Sequence, residues 1–220
     1  MSTALDSTED DVVVVLPWHR NPINLVALAL ALVVLAAAAG FVIGNNRALV
    51  DPNDTDVGFL QDMRVHHEQA VQMSLIYLDS AAVGTNSAPD RQLATIAREI
   101  LVGQNIEIGR MIQLLRGFGE SEINDSDLAM GWMGHPIEAN QMPGLATETD
   151  LIALAEADGV EADAIFVELM TAHHRGGIDM ADLAATQAAT DEVRRMAQQM
   201  ADGQRDEIIE MGRLLARSDG

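Results

Sequence analysis

Residues 59–74 read FLQDMRVHHEQAVQMS, and residues 166–181 read FVELMTAHHRGGIDMA. Displaced by 107 positions, the Phe, the first Met, both His and the final Met coincide. A second correspondence follows each stretch. Residues 92–115 align with 192–215 at a displacement of 100, so that Gly103, Gln104, Glu107, Ile108 and Met111 recur as Gly203, Gln204, Glu207, Ile208 and Met211. Self-similarity on this scale marks two copies of one supersecondary unit. The period within each copy is helical: Met63, His66, His67, Ala70 and Met73 fall on one stripe of a 3.6-residue repeat.

Working outward, each copy reads as a helical hairpin. The first helix is expected over about 55–83, entered through Asp54, Thr55 or Asp56, and broken by Gly84, Asn86, Ser87 and Pro89. The second runs to about Arg116 and stops at Gly117 and Gly119; the third covers about 160–187 and the fourth about 190–217. Residues 118–146 read as irregular. A short helix is expected at 148–158, with Thr147 and Asp150 as a capping box and Gly159 as its stop. Two related antiparallel hairpins, 56–117 and 160–217, predict an all-α fold with a pseudo-twofold four-helix bundle over 56–217.

Composition agrees. Hydrophobic residues are 48% of the 220, aromatics only 3%, and Ala and Leu favour helix over strand. The absence of Cys excludes disulfides, thiolate metal sites and iron–sulfur clusters. The net charge of -21, with Arg supplying all 13 basic residues, makes nucleic acid an unsuitable partner. No Ser–His–Asp order, phosphate loop or dinucleotide turn occurs, so no catalytic residues are assigned and the expectation is a non-enzyme.

Ahead of the repeats, residues 23–44 carry no charge and match the roughly 20 residues that a bilayer core requires. Trp18, His19 and Arg20 suit a membrane interface. Residues 1–22 read as a disordered tail, 23–44 as a transmembrane helix and 45–55 as a linker. An uncleaved single-pass anchor is favoured over a cleaved signal, because the stretch is long and follows an acidic head. Arg20 and His19 place the amino terminus in the cytoplasm and the large domain outside the cell membrane.

The inward faces would then hold His66, His67, His173, His174, Glu107, Glu207, Gln104 and Gln204, with Met63, Met73, Met111, Met170, Met180 and Met211. Burying so many polar groups demands partners, and a metal ion is one solution. Imidazole and thioether together suit copper, above all the cuprous ion, better than iron or zinc. The carboxylates either ligate or orient a His. Gly103 and Gly203, placed mid-helix, are read as points of close helix approach. Met130, Met133, His135 and Met142 form a second group, either an open copper-loading site or apolar pins for the loop.

The doubled segments MRVHHEQAVQM and MTAHHRGGIDM, with QMPGLATETDLIALAEADG, QNIEIGRMIQLL and GQRDEIIEMGRLL, resemble the "domain of unknown function 305" family over about 55–217. The resemblance implies a ferritin-like four-helix bundle, commonly exported or membrane-anchored, and, through its CopM-like members, extracytoplasmic copper binding by the residues named above. Two departures are Gly176–Gly177 against Gln69–Ala70, expected to loosen the third helix, and Leu145, where relatives often carry Met. Two other functions compete. A di-iron oxidase needs Glu three residues before His, and Met63 and Arg64 stand there for the first pair, Met170 and Thr171 for the second. A metal-free helical interaction module needs only the bundle and the anchor.

Overall fold

The computed structural model describes residues 17–47, 51–83, 88–126 and 128–218. The chain divides into two compact units, residues 1–49 and 50–220. In the first, a 3₁₀ turn at Trp18–Arg20 precedes helix α1, Pro22–Arg47. Asn21 caps α1 by accepting the Ile23 N–H at 3.0 Å. The stretch Pro22–Val42 is long and apolar enough to cross a membrane, and none of it is buried within the protein. Of the expected tail 1–22, residues 1–16 lie outside the described residues, and 17–22 belong to the turn and the start of α1. Of the expected linker 45–55, α1 takes in residues up to Arg47 and α2 begins at Asp54, with 48–50 outside the described residues.

The second unit is mainly helical, and one small ladder occurs among its described residues. Its helices are α2 (Asp54–Val83), α3 (Ala88–Phe118), α4 (Glu148–Glu156), α5 (Gly159–Gln187) and α6 (Asp191–Ser218). Between α3 and α4, strands β1 (Leu128–Ala129) and β2 (Ile137–Glu138) pair antiparallel, in a segment expected to be wholly irregular. The Thr147–Asp150 capping box forms as expected. Gly159 does not stop α4, whose C-cap is Ala157; it opens α5 instead. There it takes a φ of 52°, which a side chain would resist.

Helix α2 packs along α3, and α5 along α6; α2 also meets α5, whereas α3 and α6 touch more sparingly than these pairs. The turn into α6 is held from α2. Buried Asp56 on α2 accepts the N–H groups of Ala189 (2.7 Å) and Thr190 (3.0 Å) and the Thr190 hydroxyl (2.5 Å). The repeat-equivalent Asp163 is equally buried and accepts from the Tyr77 hydroxyl at 2.5 Å, beside the Tyr77–Phe166 ring stack.

Two apolar clusters fill the interior. One includes Phe59, Leu60, Met63, Met111, Leu115 and Met180; the other includes Met73, Tyr77, Leu93, Phe166, Met170 and Met211. The six methionines of the expected inward faces are thus divided three and three. The repeat exchanges the triplets, since Met63, Met111 and Met180 correspond to Met170, Met211 and Met73. The long loop seals the first cluster. Trp132 lies against Gly58, where a Cβ would collide with it, and packs edge-on to Phe59. Met130 and Met142 are buried, whereas His135 is exposed. The loop methionines and His135 are therefore not gathered into an open site, and Met130 and Met142 act as pins.

Candidate metal centre

All four repeat histidines are completely buried, and neither apolar cluster includes them. His66 on α2 and His173 on α5 meet face to face, their ring centroids 3.8 Å apart and tilted by 32°; His174 lies 6.0 Å from His173. The helix period turns both His–His pairs inward, and the α2–α5 crossing brings the pairs together.

Each ring has an oxygen partner at Nε2. His67 faces Glu107 Oε2 at 2.8 Å, and His174 faces Glu207 Oε2 at 2.7 Å, a repeat-related pair of contacts from α3 and α6. His66 Nε2 lies 3.1 Å from the Pro143 carbonyl, and His173 Nε2 2.8 Å from the His66 carbonyl. Carbonyl and carboxylate oxygens only accept, so every ring donates its Nε2–H. At all four rings, Nδ1 is buried without a hydrogen-bond partner. Burial, with His67 close by, pushes His66 down to about 3, against the support of the Pro143 carbonyl. Burial, with His66 and His174 close by, also pushes His173 well below its ordinary value. These two rings are consequently neutral at pH 7, and their Nδ1 atoms carry a bare lone pair.

Gln104 and Gln204 are also buried. Gln104 Oε1 and both polar atoms of the Gln204 amide lack hydrogen-bond partners. Met63, Met73, Met111, Met170, Met180 and Met211 are all fully buried, in the two clusters on α2, α3, α5 and α6. Among the described residues, no three His, Asp or Glu side chains form a group able to hold an ion.

Glycines shape the surroundings, and two expectations about them fail. Gly103 and Gly203 are not points of close approach: a Cβ at either would meet nothing within 4 Å. They border a cavity of about 70 Å³ between α3 and α6, with Gln104, Gln204, Glu107 and Glu207. Nor does the Gly176–Gly177 pair loosen α5, which is unbroken from Gly159 to Gln187. A Cβ at Gly176 would overlap the Pro143 carbonyl, and one at Gly177 would collide with the Gln204 amide. The missing side chain at Gly176 lets the loop backbone reach the centre, where the Pro143 carbonyl accepts from His66.

The sequence did not mark the residues that seat this loop. Gln69, the counterpart of Gly176, clamps Ala146 through two bonds, 2.9 Å to its carbonyl and 2.6 Å from its N–H. Asp62 accepts the Met130 N–H at 2.7 Å and the Trp132 indole N–H at 2.9 Å, holding Met130 at a φ of 61°. Burial raises Asp62, opposed by those bonds. No local signal announces Asp62, because its partners lie 68 and 70 positions away.

An acidic helical domain with a doubled His–His motif at its centre follows an apolar N-terminal helix. The chain belongs to the family described as Domain of unknown function (DUF305), which matches residues 56–215. Among solved structures it is similar to a DUF305 protein of Streptomyces coelicolor, a candidate secreted protein, with 37% identity and a TM-score of 0.63 over 74% of this chain and 93% of that one. A DUF305 fragment from Deinococcus radiodurans gives 26% identity and a TM-score of 0.62, over 76% and 99%. CopM in its Cu(I)-bound form gives 24% identity and a TM-score of 0.51, over 75% and 98%, a likeness of fold. No curated protein matches the chain.

Proposed function

We propose that this protein is a membrane-anchored, extracytoplasmic copper-binding protein. In this reading α2, α3, α5 and α6 form a ferritin-like four-helix bundle of two repeated hairpins, and the domain sequesters or hands on copper without catalysing a reaction. One observation carries the reading. Four buried imidazoles each give Nε2–H to a carboxylate or carbonyl oxygen, and each keeps an unpartnered Nδ1. Metal-binding histidines are characteristically arranged this way, with the second ring nitrogen held by an oxygen that fixes tautomer and orientation. Four orphaned buried nitrogens are otherwise costly.

The donors available favour a soft ion. Glu107 and Glu207 are each committed to an imidazole, leaving imidazole nitrogen and the thioethers of the two Met triplets, with the Gln104 and Gln204 amides nearby. Sulfur and nitrogen suit cuprous copper, whereas ferrous iron and zinc gain little from thioether. CopM, a neighbour in fold, has both a Cu(I)-bound and a Cu(II)-bound form, which supports copper as the ion and leaves the cuprous choice to the donor set. The apolar stretch Pro22–Val42 supplies the anchor, with the amino terminus cytoplasmic by the Arg20 flank.

Copper titration of the full chain in detergent tests the reading, using His66→Ala/His67→Ala, His173→Ala/His174→Ala and the quadruple variant. The double variants should each lose most binding and be strongly non-additive, as groups serving one centre are. Half the copper retained at unchanged affinity would mean two separate sites. Full binding by the quadruple variant with normal helicity would make the histidines structural.

A further inference from the structure

The buried histidines must be reached from solvent, and the two sides of the domain differ. On the α2–α5 side the approach is closed: the Pro143–Gly144 backbone fills the space above Gly176, the Pro143 carbonyl holds His66, and Gln69 clamps Ala146. On the α3–α6 side the helices touch sparingly, and the 70 Å³ cavity lies between them. Its lining grades inward. Gly103 and Gly203 leave its rim open. Glu107 and Glu207 are partly exposed yet reach the fully buried His67 and His174. Gln104 and Gln204, only 4% exposed, bring amide atoms without hydrogen-bond partners. The Gln204 amide also rests against Gly177, one turn from His173 and His174.

We propose that the α3–α6 seam is the copper inlet, in which Gly103 and Gly203 keep the passage open, Glu107 and Glu207 attract the cation, and the Gln104 and Gln204 amides replace its solvent on the way to the imidazoles. The inference rests on the metal-binding reading above and adds the route. It also explains why the repeat places glycine mid-helix, where it weakens the helix, at two positions with no close neighbour. A carboxylate pair at a partly enclosed mouth raises the local cation concentration, and amide oxygens stand in for water during desolvation.

The test is anaerobic stopped-flow loading of the full chain in detergent with cuprous acetonitrile complex, followed by a coloured cuprous chelator to count bound copper. The wild type is compared with Gly103→Leu/Gly203→Leu, with Ala, Val and Leu at Gly203 singly, and with Gly109→Leu, an equally open α3 position away from the cavity. The double variant should load at least tenfold more slowly with unchanged copper per chain and unchanged affinity, because release slows equally. The single series should slow with side-chain volume, and Gly109→Leu should match the wild type. Loading of the double variant at the wild-type rate overturns the inlet. So does loss of copper capacity with intact helicity, which would make the cavity a holding site rather than a passage. Absence of copper binding by the wild type overturns the metal-binding reading itself, and the first control trace shows it.

Discussion

Replacing Glu107 by Gln removes one charge while keeping shape and reach, and so isolates what the carboxylate does for His67. The contact is 2.8 Å long to a fully buried ring. A charge-assisted bond of this kind contributes about 1.5–3 kcal/mol, and the neutral amide oxygen that replaces it about 0.5–1.5 kcal/mol. The difference, about 1–2 kcal/mol, measures how much more firmly the carboxylate holds the ring and aims Nδ1. Copper affinity should therefore fall about 5- to 30-fold. The repeat provides an internal comparison. The Glu207 side chain is 34% exposed against 27% for Glu107, so solvent screens it more, and Glu207→Gln should sit at the lower end of that range. Competition against a cuprous chelator, with circular dichroism to confirm the helices, provides the measurement. An affinity within twofold of wild type for Glu107→Gln would refute the argument that the carboxylate positions a ligand.

Two further outcomes concern the apo fold. Asp56→Ala strands the buried N–H groups of Ala189 and Thr190 and the Thr190 hydroxyl, which should cost about 3–5 kcal/mol and lower the thermal midpoint by about 10 °C or more; a drop under 3 °C in calorimetry contradicts the latch. Because His66 and His173 are depressed in the folded state, the unfolded chain takes up their protons first. Their stabilisation is therefore complete above about pH 6.5 and is lost as the pH falls, for His66 toward about 3. Between pH 7.5 and 5.5 each ring should cost about 1 kcal/mol; identical urea midpoints at the two pH values would show the rings to be solvated.

Local features of the chain determined the helices, their approximate limits, the Thr147–Asp150 cap and the inward face carrying Met63, His66, His67 and Met73. Each of these depends on neighbours three or four positions away, so periodicity and capping chemistry reveal them. The repeat added the correspondence between α2 and α5 and between α3 and α6, and the apolar run marked α1. The tertiary structure alone decided what each glycine admits: Gly176 receives the Pro143 backbone, Gly58 receives Trp132, and Gly103 and Gly203 face open space. It alone gave His66 a carbonyl and His67 a carboxylate as partners, and divided the methionines into two triplets. A glycine or an inward histidine has the same sequence signature whichever chain segment lies opposite, and that segment is set by how α2 crosses α5 and where the long loop returns.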